Sequence, residues 1–213
     1  EDGIRDLYVY SNLVLSLAVN EAKYATTATP KEFWSVWTEK FNNEKEQENF
    51  TQTLFNLKQK ALPQNNNTEL FKSRYYSTIK YFNQLGKFET AVTEQDRLIY
   101  SLCSKERLLE LMFRYILYDD GIKKIARYQQ YFAITKTMQR IEKIGSNSKR
   151  KGGVIWHTQG SGKSLTMVIL AEMIALSKKI KNPKIILVTD RIDLNSQITE
   201  TFQKCNIPVE EAA

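Results

Sequence analysis

A single histidine in 213 residues excludes a histidine-built zinc or iron centre. Two cysteines, Cys103 and Cys205, are too few for a disulfide framework and point to a reducing compartment. Four prolines and eight glycines exclude collagen-like and low-complexity chains. The longest uncharged stretch, Leu7–Asn20, is broken by Tyr, Ser and Asn, and is too short and polar to span a bilayer. The opening Glu1-Asp2-Gly3 has no basic start followed by an apolar core, so no signal peptide is expected. What is present, 42% hydrophobic and 11% aromatic residues, is enough to bury a core. A soluble, cytoplasmic protein with no membrane contact is expected.

Negative charge is scarce only in the second part of the chain. Residues 1–120 hold 15 basic and 17 acidic residues, whereas residues 121–213 hold 16 basic and 7 acidic. A net +9 gathered in one segment favours a polyanionic partner, while a solvated basic face is the plainer reading.

The first segment reads as paired strands at Leu7–Tyr10 and Leu13–Val19 around Ser11-Asn12, with a further strand at Tyr24–Thr27. Pro30 opens an expected helix Lys31–Thr38, with Phe33, Trp34 and Trp37 assigned to the core. Glu44–Leu62 is helical in composition, Asn65–Asn67 reads as a loop, and Glu69–Phe82 as a helix. Thr93–Tyr118 carries Leu98, Leu102, Leu111 and Tyr115 at helical spacing, and Asp119-Asp120-Gly121 is placed as the boundary between segments 1–120 and 121–213. Beyond it come a helix Tyr128–Ile144, a basic loop Gly145–Gly153, an apolar run Val154–Trp156 and a helix Ser164–Ser177. A second apolar run Ile185–Thr189 and a helix Leu194–Lys204 complete the pattern. Strand, helix, strand, helix, with strands apolar on both faces, predicts an α/β fold with parallel strands.

Between the first apolar run and its helix stands His157-Thr158-Gln159-Gly160-Ser161-Gly162-Lys163-Ser164. Glycines let backbone N–H groups curl around phosphate oxygens at the positive end of a helix. Lys163 would reach the β- and γ-phosphates of ATP, and the Ser164 hydroxyl would ligate Mg²⁺. The pattern G-x-x-x-x-G-K-[ST] is met except at its first glycine, where His157 stands as a spacer without a chemical role. The plainer reading is a glycine-containing turn with a chance Lys-Ser. Upstream, Arg127-Tyr128-Gln129-Gln130 opens a helix, and a glutamine amide can serve both N7 and N6 of an adenine. Tyr128 is assigned to the core.

With those residues in place, Arg127–Ala133, Gly152–Ser164 and Leu187–Leu194 together resemble the motor (R) subunit of type I restriction endonucleases, a superfamily 2 helicase-type translocase. Tyr10-Ser11-Asn12 and Glu21–Thr26 look like the segment that follows the nuclease core there. The resemblance implies the tail of a restriction-nuclease-like domain and a helical connector over residues 1–120. The first part of a RecA-like P-loop motor domain with parallel strands would follow over 121–213. It implies ATP and Mg²⁺ as cofactors, with Gln130 reading adenine and Thr158, Gln159, Gly160, Ser161, Gly162, Lys163 and Ser164 holding the phosphates. It also implies that Thr189 and Arg191 contact the DNA backbone. A local Asp190-Arg191 ion pair at a helix start is the plainer account of those two residues. Duplex DNA and the methyltransferase and specificity subunits of the same system are the implied partners.

No Asp-Glu-x-His or Asp-Glu-Ala-Asp box follows before Ala213. The chain is therefore expected to be an internal fragment without catalytic residues, inactive alone, whose carboxylate box and nuclease triad lie elsewhere in the parent. Asp6 with Glu21-Ala22-Lys23 mimics a nuclease triad, but the resemblance puts the true one upstream. Two rivals stay open: a non-enzymatic helical docking module, and a stand-alone P-loop ATPase completed by another chain.

Overall fold

The dipeptide Asp120-Gly121 sets the middle of the fold. In the computed structural model, which describes Tyr8 and residues 10–60, 64–85, 91–145 and 149–210, these two residues adopt left-handed backbone at φ 51° and 74°. A two-residue hairpin with the natural strand twist needs that pair of positive φ values, and Asp-Gly supplies it. Strand β3 (Ile116–Asp119) folds back on β4 (Ile122–Ile125), Ile116 opposite Ile125 and Asp119 opposite Ile122. The stretch chosen as a segment boundary is this hairpin's turn. The one or two helices expected over Thr93–Tyr118 are two, Glu94–Leu102 and Lys105–Arg114, and the end of that stretch is the first strand of the hairpin.

The other sheet is also a two-stranded antiparallel ladder, β1 (Val14–Leu17) with β2 (Ala22–Ala25), Val14 opposite Ala25. Of the expected strand Leu7–Tyr10, Leu7 and Val9 lie outside the described residues, and Tyr10 sits in a turn. The expected helix Lys31–Thr38 shrinks to one 3-10 turn, Lys31–Phe33. Ser35 is drawn away from helical geometry because it exchanges both backbone hydrogen bonds with Tyr24, at 2.8 and 3.0 Å. Trp37 is buried as expected, while Phe33 is exposed.

Eight helices are present among the described residues: α1 (Glu44–Gln59), α2 (Gln64–Phe71), α3 (Tyr76–Leu85), α4 (Glu94–Leu102), α5 (Lys105–Arg114), α6 (Tyr128–Ile141), α7 (Lys163–Leu176) and α8 (Ile192–Lys204). Asn65–Asn67, expected as a loop, fall inside α2; asparagine disfavours helix by only about 0.7 kcal/mol per residue, so context overrides it. Helices α4 and α1 are clamped by Asp96, which accepts from Thr93 N at 2.8 Å, Thr93 Oγ1 at 2.6 Å, and Lys58 Nζ. Burial alone would raise the Asp96 carboxyl, but the bonds from Lys58 and Thr93 outweigh it and hold it below the usual range.

One apolar cluster draws on both parts of the chain. Tyr24, Trp37, Leu102 and Tyr115 pack with Ile134 of α6, Val168 of α7 and Phe202 of α8. At its centre Trp37 meets Tyr24, Tyr131 and Phe132 with ring centroids 5.8, 5.3 and 5.7 Å apart. Arg107 lies over the Trp37, Tyr131 and Phe132 rings at 5.2, 4.7 and 5.6 Å and is neutralised by Glu39 at 3.1 Å. Burial pushes the Tyr115 phenol up to about 12, and it stays neutral while sharing a 2.7 Å hydrogen bond with the Thr135 hydroxyl.

Helices α6, α7 and α8 match the expected spans to within a few residues. The expected parallel strands do not. Val154–Trp156 and Ile185–Thr189 form no ladder among the described residues, and Val154 is 94% and Val188 89% exposed. A run that is apolar on both faces becomes a strand only when neighbouring strands satisfy its backbone and a layer covers each face. The two sheets described here are antiparallel hairpins that offer these runs neither.

Candidate functional site

Gly160 and Gly162 carry φ 75° and 79°, and α7 begins at the next residue, Lys163. Alternating right- and left-handed residues turn successive amides to one side, which builds an anion-binding concavity. No side chain caps α7 at Gly162, and the first amides of a helix have no intrahelical acceptor. The turn is braced from within: the Thr158 carbonyl accepts from Ser161 Oγ at 2.7 Å and Lys163 Nζ at 3.0 Å. The Gly162 carbonyl accepts from Thr166 N at 3.0 Å and Thr166 Oγ1 at 3.1 Å.

Gln130, in the first turn of α6, joins that helix to the loop. Its Oε1 accepts from Arg127 N at 2.8 Å and its Nε2 donates to the Gly162 carbonyl at 2.9 Å. The side chain is 4% exposed, and a Cβ added at Gly162 would stand 2.6 Å from Nε2. The amide orientation is therefore set, with one N–H and one lone pair still unspent by those two bonds.

Around this junction opens a cleft of about 360 Å³, lined on the loop side by Gly160, Ser161, Gly162 and Leu165, and at the start of α6 by Arg127 and Gln130. Its other wall is the first segment, from Tyr24 to Ser35, together with β4. That wall is fixed by Tyr24 Oη donating to the carbonyl of Ala126, just after β4, at 2.9 Å and by Thr26 Oγ1 donating to the Lys123 carbonyl of β4 at 2.6 Å. Lys123, Lys124 and Arg127 line the cleft, with Lys124 paired to Asp119 and Lys123 donating to Asn12 Oδ1 at 3.2 Å, and no carboxylate is among the described lining residues. An anion is the ligand such a lining suits.

Of the residues singled out from sequence, Gln130, Gly160, Ser161 and Gly162 meet in this cleft. Thr158, Gln159 and Lys163 are exposed neighbours in the loop, and Ser164 is half-buried in the first turn of α7. Thr189 and Arg191 precede α8; Arg191 is 76% exposed and stands 3.9 Å from the Asp190 carboxylate. Glu21 and Lys23 pair with each other at 2.7 Å, and Asp6 lies outside the described residues. The wall residues Thr26, Pro30, Phe33, Lys123 and Lys124 were missed. No spacing rule links them to the loop, since only the fold of β2 against β4 brings them there.

Residues 129–213 match the SWI2/SNF2 ATPase family. The HindI endonuclease subunit of a type I restriction enzyme from Haemophilus influenzae is 37% identical over 115 residues, which is 51% of this chain and 11% of that protein. The SauCOLORF180P endonuclease subunit from Staphylococcus aureus is 31% identical over 143 residues, 66% of this chain and 14% of that one. The chain thus spans well under a fifth of the length of these relatives. No solved structure matches it, and no helix among the described residues is long and apolar enough to cross a membrane. The braced glycine turn falls inside the matched span, and the chain is similar over that span to SWI2/SNF2 ATPases and, over about half to two thirds of its length, to the endonuclease (R) subunits of type I restriction enzymes.

Proposed function

We propose that this chain is part of the ATP-driven, DNA-translocating and DNA-cleaving subunit of a type I restriction-modification enzyme. Residues 1–120 would hold the tail of its nuclease domain and a helical connector, and 121–213 the first part of its motor. Val154–Trp156 and Ile185–Thr189 would be parallel strands of that motor, completed by strands beyond the described residues. The catalytic carboxylates of both activities belong to other parts of the subunit. Duplex DNA and the methyltransferase and specificity subunits are its partners, in the cytoplasm.

The observation that carries the reading is the left-handed pair Gly160 and Gly162 ahead of the uncapped start of α7. Backbone amides of residues 158–162 surround the phosphate oxygens, and the Lys163 ammonium neutralises the β- and γ-phosphates. The donor set fits Mg²⁺ carried in with the nucleotide: Ser164 offers one hydroxyl beside a lysine, and such an ion takes most of its ligands from phosphate and water. When bound, Mg²⁺ neutralises charge developing on the phosphates.

Gln130 reads adenine with the N–H and lone pair that its bonds to Gly162 and Arg127 leave over. A bidentate amide–adenine pair discriminates by about 1–3 kcal/mol, so Gln130→Ala in the full-length protein should shrink the ATP-over-GTP preference about tenfold or more. Titration calorimetry with both nucleotides checks it. An unchanged preference, with both affinities reduced, would assign Gln130 to loop positioning alone.

The DNA contact is tested through salt. An ion pair as exposed and as long as Arg191–Asp190 contributes little stability, which leaves the guanidinium available to a phosphate. Thr189, half-buried just before it, offers a hydroxyl to the same backbone. Each neutralised phosphate contributes about −0.9 to the slope of log K against log salt. Arg191→Ala should therefore flatten that slope by about one unit for every duplex sequence alike. An unmoved slope in the full-length protein removes Arg191 from the DNA track.

A further inference from the structure

Phe33 is the feature of the cleft that the phosphate loop leaves unexplained. It lines the cavity together with Gln130 and Gly160–Gly162, and the residue is 58% exposed. The other aromatic ring in the lining, Tyr24, is fully buried, with its hydroxyl committed to the Ala126 carbonyl. Among the described residues that line the cleft, Phe33 is therefore the exposed aromatic side chain.

The ring is mounted on a rigid support. Phe33 N donates to the Pro30 carbonyl at 2.9 Å, closing the 3-10 turn, and Trp34 Nε1 donates to the Thr29 carbonyl at 3.0 Å. Ser35 is locked to Tyr24 by two backbone bonds. At the other end of the loop, Thr26 is buried and tied to Thr29 Oγ1 at 2.9 Å and to β4. An exposed phenyl ring costs hydration free energy, and a turn held on three sides offers it no way to fold inward.

We propose that Phe33 is the platform on which the purine ring of the bound nucleotide stacks, so that the segment before residue 120 supplies one wall of the nucleotide site. The inference rests on the nucleotide-binding reading of the loop and adds to it the base-side contact. A cavity of about 360 Å³ lies within the range of small-ligand sites. Stacking holds the base from its face while the Gln130 amide meets its edge, and phosphates run toward Lys163. Stacking is tolerant of base identity because every base has a π-face. Phe33 therefore sets affinity for the nucleoside, and Gln130 sets the choice among bases.

Titration calorimetry on the full-length protein separates this inference from the reading beneath it. The ligands are ATP and inorganic tripolyphosphate; the variants are Phe33→Ala, Phe33→Tyr and Lys163→Ala. Phe33→Ala is expected to weaken ATP about tenfold and leave tripolyphosphate unchanged, while Phe33→Tyr keeps wild-type ATP affinity. If Phe33→Ala binds ATP as wild type does while Lys163→Ala loses it, the stacking platform is wrong and the phosphate loop right. Equal weakening of ATP and tripolyphosphate by Phe33→Ala would likewise overturn the proposal, because the phenyl would then be shaping the loop. If Lys163→Ala binds ATP normally, the phosphate loop itself is misread and the platform falls with it.

Discussion

Lys163→Ala is expected to lower the affinity of the full-length protein for ATP by about two to three orders of magnitude, at unchanged thermal stability. The lysine is exposed, and its Nζ donates to the Thr158 carbonyl at 3.0 Å. Removing an exposed side chain of that kind shifts stability by about 0.5 kcal/mol or less, and alanine suits the first turn of α7. Bound triphosphate is another matter. It brings several negative charges into a cleft with no carboxylate among its described lining residues, and Lys163 is the cation nearest the amide cradle along the chain. Truncating one partner of a desolvated charge pair costs about 2–5 kcal/mol, which is the loss expected here. Calorimetric titration beside a thermal melt is the measurement. Wild-type affinity in a folded Lys163→Ala protein would refute the assignment.

Gly162→Ala should damage the fold and the site together, while its neighbour two residues earlier should not. Both Gly160 and Gly162 hold left-handed backbone, which costs any other L-residue about 1–2 kcal/mol. A Cβ at Gly160 meets nothing within 4 Å, so Gly160→Ala incurs that backbone cost alone. A Cβ at Gly162 would stand 2.6 Å from Gln130 Nε2. The amide cannot simply swing away, because its two ends are bonded to Arg127 N and the Gly162 carbonyl inside a nearly closed environment. Displacing it leaves buried polar groups unpaired, at about 1–3 kcal/mol. The expected totals are about 1–2 kcal/mol for Gly160→Ala and about 2–5 kcal/mol for Gly162→Ala. Urea unfolding of both variants followed by tryptophan fluorescence reads the difference. Adding Gln130→Ala to Gly162→Ala should recover part of the loss, since the clash is then gone. Equal destabilisation by the two single variants would mean that the Gln130–Gly162 junction bears no strain.

Coupling between the two parts of the chain follows from where the cleft lies. Its loop side belongs to the segment that matches SWI2/SNF2 ATPases, and its far wall to β2 and the Lys31–Phe33 turn. A ligand that touches both sides stabilises their association by its own binding free energy. Asp120 N donates to the Lys204 carbonyl at the end of α8, so the hairpin that carries one wall is also tied to the last helix of the other part.

Helices α6, α7 and α8 were legible from the chain alone because each repeats apolar residues at helical spacing or begins and ends at a local signal. Gly162 before α7 and Gly145 after α6 are such signals, and helix formation needs only contacts within a few residues. The glycine turn was legible for the same reason: left-handed backbone is a property of one residue, and the residues that need it are adjacent. Phe33, Thr26 and Lys123 were not legible as a cleft wall, because they reach it through the Tyr24–Ala126 and Thr26–Lys123 bonds, which join residues about a hundred positions apart. Asp120-Gly121 carries a local hairpin signal, but the apolar residues before it suit the end of a helix equally well, and only the pairing of Ile116 with Ile125 decides for a hairpin. The runs Val154–Trp156 and Ile185–Thr189 mark the limit most clearly. Their composition determined that they are apolar on both faces, but a strand exists only through its neighbours' backbone, and pairing is a property of tertiary structure that no single segment contains.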